Sequence, residues 1–407
     1  MPRELLAIVA ILACSGPGPD SGSEPPAQAG PHNPPPHVDF RERATAYSGP
    51  GREQTEPADV SEVLLGYFGP SDPAHPESGD LWVAARMAVD TANRQGGYHG
   101  KPFRLVPSWS ENPWQAGISG IARMVYHEKV WAIVGGLDGP TAHLAEQVVA
   151  KARLPLVVPS SSDRTANLAN VPWIVSLLPG NHIQVPVLVD ALAGRVDARG
   201  FSLVSIDDHD ARVFVAELER GLKRRQLAAK FAHVVHSEND DPATVARLIV
   251  DDHVGAVVVA ADAGASARIV VALRKQGFQG TIVGGPALSR RRFVREAGAA
   301  AEGVLFPLVF DPGQAPRAFV DEFERQAHAP PDYAAAATYD GMNLLIAAVR
   351  SAGLNRARIG DALRDLAPWP GVTGTIAWDR SGSNTRAVVL GTVHNGHTVK
   401  VPRKSGE

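Results

Sequence analysis

The sequence predicts an α/β protein of two lobes, each a parallel sheet covered on both faces, and three observations carry that prediction. Short apolar runs alternate with amphipathic helical stretches along almost all of the chain after Val60, the pattern of repeated β-α-β units. The alternation pauses at Pro179-Gly180-Asn181 and then begins again, which divides it between two sheets. At 407 residues the chain is also too long for one ordinary core.

In the first half, strands are predicted at Val63–Phe68, Phe103–Val106, Trp131–Val134, Leu156–Val158 and Trp173–Leu177. Between the first two, Leu81, Ala84, Ala85, Ala88, Val89 and Ala92 follow the i, i+3, i+4 spacing of a helix with one buried face, stopped by Gly96-Gly97. Helices follow at Gln115–His127 and Ala142–Ala152, the latter with Thr141 as its cap. In the second half the strands are Phe201–Ile206, Ala232–Val235, Ala256–Ala260, Thr281–Val283 and Gly303–Leu305. The helices there are Arg212–Arg224, Pro242–Asp251, Ala265–Gln276 and Arg291–Ala297. The pattern then changes. Three helical stretches, Ala315–Ala327, Ala334–Ala352 and Ala357–Leu366, have no strand between them, and a strand pair, Gly374–Trp378 and Ala387–Val393, closes the chain.

The chain's only cysteine, Cys14, directly follows an apolar run from Leu5 to Ala13 preceded by Arg3. A single cysteine excludes an internal disulfide and a cysteine metal site. The run is shorter than the about 20 residues that span a bilayer, but it fits the core of a signal peptide. Ile11-Leu12-Ala13-Cys14 resembles a bacterial lipoprotein signal, in which cleavage before the cysteine leaves it to be lipidated. Residues 1–13 are therefore expected to be removed and 14–59 to form a lipidated, disordered linker. Ser15–Asp59 contains ten prolines and few large apolar residues, too little to offset its ordering entropy, and as a coil it would reach about 35–45 Å.

The net charge of −3, with no dense Lys/Arg stripe, argues against a nucleic-acid partner. The basic run Arg290–Arg292 is read as a solvated helix start. An enzyme finds no support either. There is no Gly-rich phosphate loop and no Gly-x-Ser-x-Gly elbow, and His127-Glu128 continues as Lys-Val-Trp, not as a zinc-protease motif. No cofactor is expected. A metal held by Asp207, Asp208, His209 and Asp210 is possible in residue type, but four consecutive residues cannot all point inward, so no metal is expected.

The order of elements resembles the type I periplasmic solute-binding family, the branched-chain amino-acid-binding class, from Val60 to Val401. The resemblance is carried by Gly66-Tyr67-Phe68-Gly69-Pro70, Ala88-Val89-Asp90 with Asn93 and Gly96-Gly97, Ile133-Val134-Gly135-Gly136 with Thr141, and Leu154-Pro155-Leu156 with Pro159-Ser160-Ser161-Ser162-Asp163. Ala301-Glu302-Gly303-Val304, Ala337-Thr338-Tyr339-Asp340 and Gly371-Val372-Thr373-Gly374 complete it. It implies two Rossmann-like lobes in a Venus-flytrap arrangement, joined by a three-segment hinge near Pro179–Gln184, Phe310–Gly313 and Gly371–Gly374. Lobe 1 would comprise 60–181 and 312–371, and lobe 2 residues 182–311 and 372–402. It further implies a cleft that closes on a small polar solute, an amino acid or related compound, and an ABC-type permease as membrane partner. A ligand sensor of the same fold, controlling a regulatory partner, is the alternative.

Ligands of open parallel sheets sit beyond the carboxyl ends of the strands. The expected contacts are Ser160, Ser161 and Ser162, with hydroxyl and backbone N–H groups suited to a carboxylate, and the neighbouring loop through Leu137, Asp138 and Thr141. Across the cleft the resemblance puts Asp210 in the family's tyrosine position, and the family's aromatic contact at about Asp262 or Ala263. Asp208, Asp210 or Asp262 is a candidate partner for a solute ammonium group. By their places in the family pattern, Trp82 and Tyr333 are expected as aromatic walls. Trp109 and Trp114 flank the loop after the second strand, where contact with a solute and packing at a helix entry are equally supported.

Overall fold

The computed structural model describes residues 51–236 and 241–402. The expected signal peptide, Cys14 and the linker up to residue 50 lie outside the described residues. Five strands form the first sheet: β1 (Val63–Phe68), β2 (Phe103–Ser108), β3 (Ile133–Gly135), β4 (Leu156–Val158) and β5 (Ile174–Ser176). All are parallel, in the order β2-β1-β3-β4-β5. Between them run α1 (Gly79–Arg94), α2 (Ile118–Ala122) and α3 (Gly139–Ala152). The single helix expected over 115–127 forms, continuous from Pro113 to His127, with its first and last turns widened to π turns on either side of α2.

The chain then builds a second unit from α4 (Asn181–Ala193), β6 (Phe201–Ile206), α5 (His209–Arg224), β7 (Phe231–Val235) and α6 (Pro242–Asp251). It continues through β8 (Ala256–Ala260), α7 (Ala263–Lys275), β9 (Thr281–Gly284), α8 (Arg291–Ala297) and β10 (Leu305–Leu308). Next α9 (Arg317–Ala327), α10 (Tyr333–Ala352) and α11 (Arg356–Asp365) return to the first sheet. A ribbon of β11 (Trp369–Gly371) and β12 (Gly374–Ile376) follows, and then β13 (Val389–His394) and β14 (His397–Lys400). The second sheet reads β14-β13-β10-β9-β8-β6-β7.

Alternation along each strand feeds two cores per sheet. On β1, Val63, Leu65 and Tyr67 enter a core with α1, α9 and α10, while Phe68 joins Ile133, Leu156 and Val158 against α2 and α3. On β8, Val257 and Val259 pack with α7 and α8, whereas Ala256, Val258 and Ala260 pack with α4 and α5. Strands buried on both faces are apolar throughout, which is why they were legible as short apolar runs.

Four features depart from the sequence expectation. Helix α4 was not foreseen, because Pro186 lies inside it and apolar residues on every face conceal the helical period. The expected pairing of 374–378 with 387–393 does not form. β12 pairs with β11, and β13 lies antiparallel between β10 and β14. Residues 51–59, expected in the free linker, are strapped to the first unit. Asn355 Nδ2 donates to the Gly51 and Gln54 carbonyls, and Glu56 accepts from Tyr98 Oη and the Leu354 amide.

The third passage between the sheets also lies later than 371–374. The Asp340 carboxylate on α10 accepts the Val372 and Thr373 amides at 2.7 and 2.9 Å, holding that turn to the first sheet's helices. Trp378 Nε1 then donates to the Ser176 carbonyl, and the Ser176 amide donates to the Gly382 carbonyl, both at 2.8 Å. The chain leaves β5 only after Asn384, whose side chain donates to the Leu177 carbonyl of the first passage. Arg386 reaches the Val309 carbonyl of the second. The three passages are thus laced side by side.

Candidate ligand-binding cleft

Between the two sheets lies a cavity of about 490 Å³, built from loops at the carboxyl ends of β3, β4, β6, β8 and β9. Several of these loops are shaped by an aspartate that caps the helix behind it. Asp138, Asp208 and Asp262 each occupy the N-cap and accept the amide three residues on, at 2.8, 2.7 and 2.8 Å, so one carboxylate oxygen of each is engaged by its own helix. Thr141, expected as a contact, is buried and completes this cap through its hydroxyl on Asp138. It does not line the cavity.

The serine loop does. Ser160 donates its hydroxyl to the Leu137 carbonyl at 2.8 Å, which fixes the two first-sheet loops together and leaves Ser160 Oγ as an acceptor. Ser161 Oγ accepts the Asp163 amide at 3.2 Å, so its own O–H remains available to donate. The Ser162 carbonyl accepts the Asn181 amide. Asn181, on the first passage, lines the cavity, and its Oδ1 is buried with no hydrogen-bond partner among the described residues. That leaves an acceptor for a solute N–H.

Leu137, Asp138, Ser160, Ser161, Ser162, Asp208, Asp210, Asp262 and Tyr333 are brought together around the cavity. Trp82 is not. It faces the first-sheet core, its ring 5.2 Å from that of Tyr67, while Ser78 and Leu81 present the start of α1 to the cleft. Trp109 lines the cavity and packs on Phe68, its indole N–H on Glu111. Trp114 is 60% exposed and stays outside.

Asp210 plays a part the sequence did not indicate. From the second lobe it accepts the Gly139 amide, the first N–H of α3, at 3.0 and 3.1 Å. The protein's own carboxylate therefore occupies a helix N-terminus where an anion binds well. Burial, and next the Asp138 carboxylate, push the Asp210 carboxyl up to about 7, against the pull of the Gly139 N–H. Burial also pushes Asp208 up, with the Asp262 and Asp138 carboxylates adding to it.

The largest departure is Arg290. Expected as a solvated helix start, it is 8% exposed and crosses between the lobes. Its guanidinium lies 2.7 Å from Asp332 and 3.4 Å from Asp80, and it donates to the Glu77 carbonyl at 2.5 Å. It also lies 5.7 Å from the Tyr333 ring centroid. Arg292 beside it pairs with Glu77. Burial opposes the charge on Arg290, but Asp332 and Asp80 more than offset it and hold the group ionised. The partners lie far away in sequence, so only the fold brings them together.

Arg290 is thus matched by carboxylates outside the lining, whereas Glu77, Glu111, Asp138, Asp208, Asp210 and Asp262 line the cavity. The surround is acidic, and Leu81, Phe214, Ala260, Ala263, Pro286 and Ala287 supply an apolar wall. A concave space with polar groups on one side and an apolar wall on the other suits one small solute, and the acidic side favours a cationic group on it.

Two lobes built on largely parallel sheets, three laced passages and a cavity at the strand ends define a cleft-type binding protein. The chain belongs to the periplasmic binding protein family, whose model matches residues 69–398. An amino acid binding protein of Pseudomonas aeruginosa is 23% identical over 339 residues, 79% of this chain and 87% of the relative. Among solved structures, the leucine binding protein of Thermotoga maritima matches with a TM-score of 0.75 at 19% identity, over 84% of this chain and 98% of that one. The isoleucine complex of a branched-chain amino acid transporter substrate-binding protein from Streptococcus pneumoniae also gives 0.75, at 21% identity, over 84% and 100%. These likenesses show the type I periplasmic binding fold. Among the described residues no helix is long and apolar enough to cross a membrane.

Proposed function

We propose that the chain is the substrate-binding component of an ABC-type importer, capturing an amino acid or a related amine-bearing solute between lobes that close around it. It acts by binding and catalyses no reaction. The observation that carries this reading is the cavity's division of labour. Ser161 O–H offers a donor on the first lobe, Asp208 and Asp262 offer carboxylates on the second, and an apolar wall stands between. The named relatives agree in kind, since one is called an amino acid binding protein and another holds isoleucine. The three passages serve as the hinge, with the division near 181 and 312 expected from sequence and the last segment joining the second lobe after Asn384. The test is a thermal-shift screen of the purified chain over amino acids, amides and small carboxylates. A solute at about 100 times its Kd adds about 2.7 kcal/mol. A folded protein stabilised by no member of the screen contradicts the reading.

The protein works outside the cytoplasmic membrane, held to it by a lipid on Cys14. Replacing Cys14 with Ser is expected to move the protein from the membrane fraction to the soluble one. Retention of the variant on membranes would rule the lipid out.

A further inference from the structure

We infer that His143, Asp163 and His209 form a divalent-metal site, suited to zinc, that staples the two lobes together beside the solute cavity. The three do not line that cavity, and the inference does not depend on which solute the cavity takes. His143 and Asp163 belong to the first lobe, on α3 and at the cap of the short turn Arg164–Asn167, and His209 opens α5 of the second. Asp163 Oδ2 lies 3.2 Å from His143 Nε2 and 2.7 Å from His209 Nε2. One ligand atom from each of the three falls within 4.8 Å of the others. Zinc bonds of about 2.0–2.1 Å in tetrahedral geometry place neighbouring ligand atoms about 3.3 Å apart, so the groups are set close to the spacing an ion requires. Two imidazoles and one carboxylate are a zinc-binding set with a fourth position left for water.

The surroundings support the ligands as an outer shell does. Asp163 Oδ1 accepts the Thr165 amide at 2.8 Å and the Thr165 hydroxyl at 2.6 Å, which turns Oδ2 toward the histidines. Glu146 Oε2 lies 3.6 Å from His143 Nδ1, the far nitrogen of the ring, in a carboxylate–histidine–metal order. The Asp210 carboxylate lies nearby, against Gly139. A Cβ placed on Gly139 would meet Asp210 Oδ1, His209 Cδ2 and Asp163 Oδ2 at 2.3, 2.7 and 3.0 Å. The Asp163 side chain is 1% exposed while those of His143 and His209 are 25% and 33% exposed, which leaves an approach for the ion.

Because the ligands come from both lobes, the site is complete only when the lobes meet. The metal therefore binds the closed form, and by linkage it and the solute raise each other's affinity by the same factor. Separations of 20 and 46 residues between Asp163 and the two histidines hide the set from any reading of local spacing.

The test is calorimetric titration of zinc chloride into the chelator-treated full chain, with His209→Gln and His143→Gln alongside, each first checked for an unchanged melting profile. The parent is expected to take up one zinc per chain at a site that either variant weakens about tenfold or more. X-ray scattering is expected to record zinc-induced compaction in the parent and not in His209→Gln. Equal zinc uptake by parent and both variants, or none by the parent, overturns the inference and leaves His209 and Asp163 as a simple interlobe hydrogen bond. Compaction that persists in His209→Gln overturns the staple.

Discussion

Replacing Arg290 with methionine is expected to weaken solute capture by about two to three orders of magnitude while leaving the unliganded protein folded. The side chain enters from the second lobe and meets Asp332 and Asp80 of the first, whose side chains are each 5% exposed. Removing one partner of a buried ion pair costs about 3–5 kcal/mol, because the other charge stays buried and unmatched. Here that cost falls on the closed form alone. When the lobes part, water reaches Asp80 and Asp332, and Asp332 keeps its local work of capping α10 through the Ala334 and Ala335 amides. A penalty confined to the closed form appears in affinity, at about 1.4 kcal/mol for each factor of ten. Titration calorimetry measures the affinity, and thermal unfolding without solute checks the fold. Asp332→Asn in the methionine background removes the orphaned charge and is expected to recover part of the loss. Unchanged affinity would show that Arg290 does not govern closure.

The double replacement Asp208→Asn with Asp262→Asn is expected to weaken binding of an amine-bearing solute by about ten- to a hundredfold, in keeping with about 1.5–3 kcal/mol for a hydrogen bond to a charged group. Asparagine caps a helix about as well as aspartate, so α5 and α7 keep their first turns and the change isolates charge from fold. Each carboxylate has one oxygen engaged by its own helix, which leaves the other to face the solute ammonium. The same double variant is expected to leave binding of a carboxylate without an amine unchanged or improved, since it removes two negative charges from an acidic cavity. A solute panel measured on parent and variant separates the outcomes. Equal losses for both solute types would contradict an ammonium subsite at Asp208 and Asp262.

Much of the fold was legible, because strands buried on both faces are short apolar runs and their helices carry a one-sided period. β1, β4, β6 and β8 fall where those runs predicted. What escaped depends on contacts between distant residues. Helix α4 is apolar on all sides and holds Pro186, so no period marks it. The segment 376–384 was expected in the second lobe, beyond a crossing at 371–374, yet it stays with β5 through Trp378, Gly382 and Asn384. The serine loop and the aspartates at 208, 210 and 262 line the cavity, because each follows a strand whose carboxyl end faces it. Trp82 and Thr141 lie outside the cavity lining, the first because one residue along α1 turns the side chain about 100° from the cleft toward the core, the second because its hydroxyl completes a cap. Arg290 offered no local signal. Beside Arg291 and Arg292 it looked like one charge of a solvated run, and only its pairing with Asp80 and Asp332 explains its burial.

The proposed function requires that one small solute bind between the lobes. The measurement that meets it most directly is calorimetric titration of the best solute from the screen into the parent and into Ala287→Trp. Ala287 lines the cavity and is only half-buried, so an indole at this position fills the solute's space without disturbing a core. One solute per chain is expected in the parent and none in the folded variant. Undiminished binding by Ala287→Trp would place the solute elsewhere and contradict it.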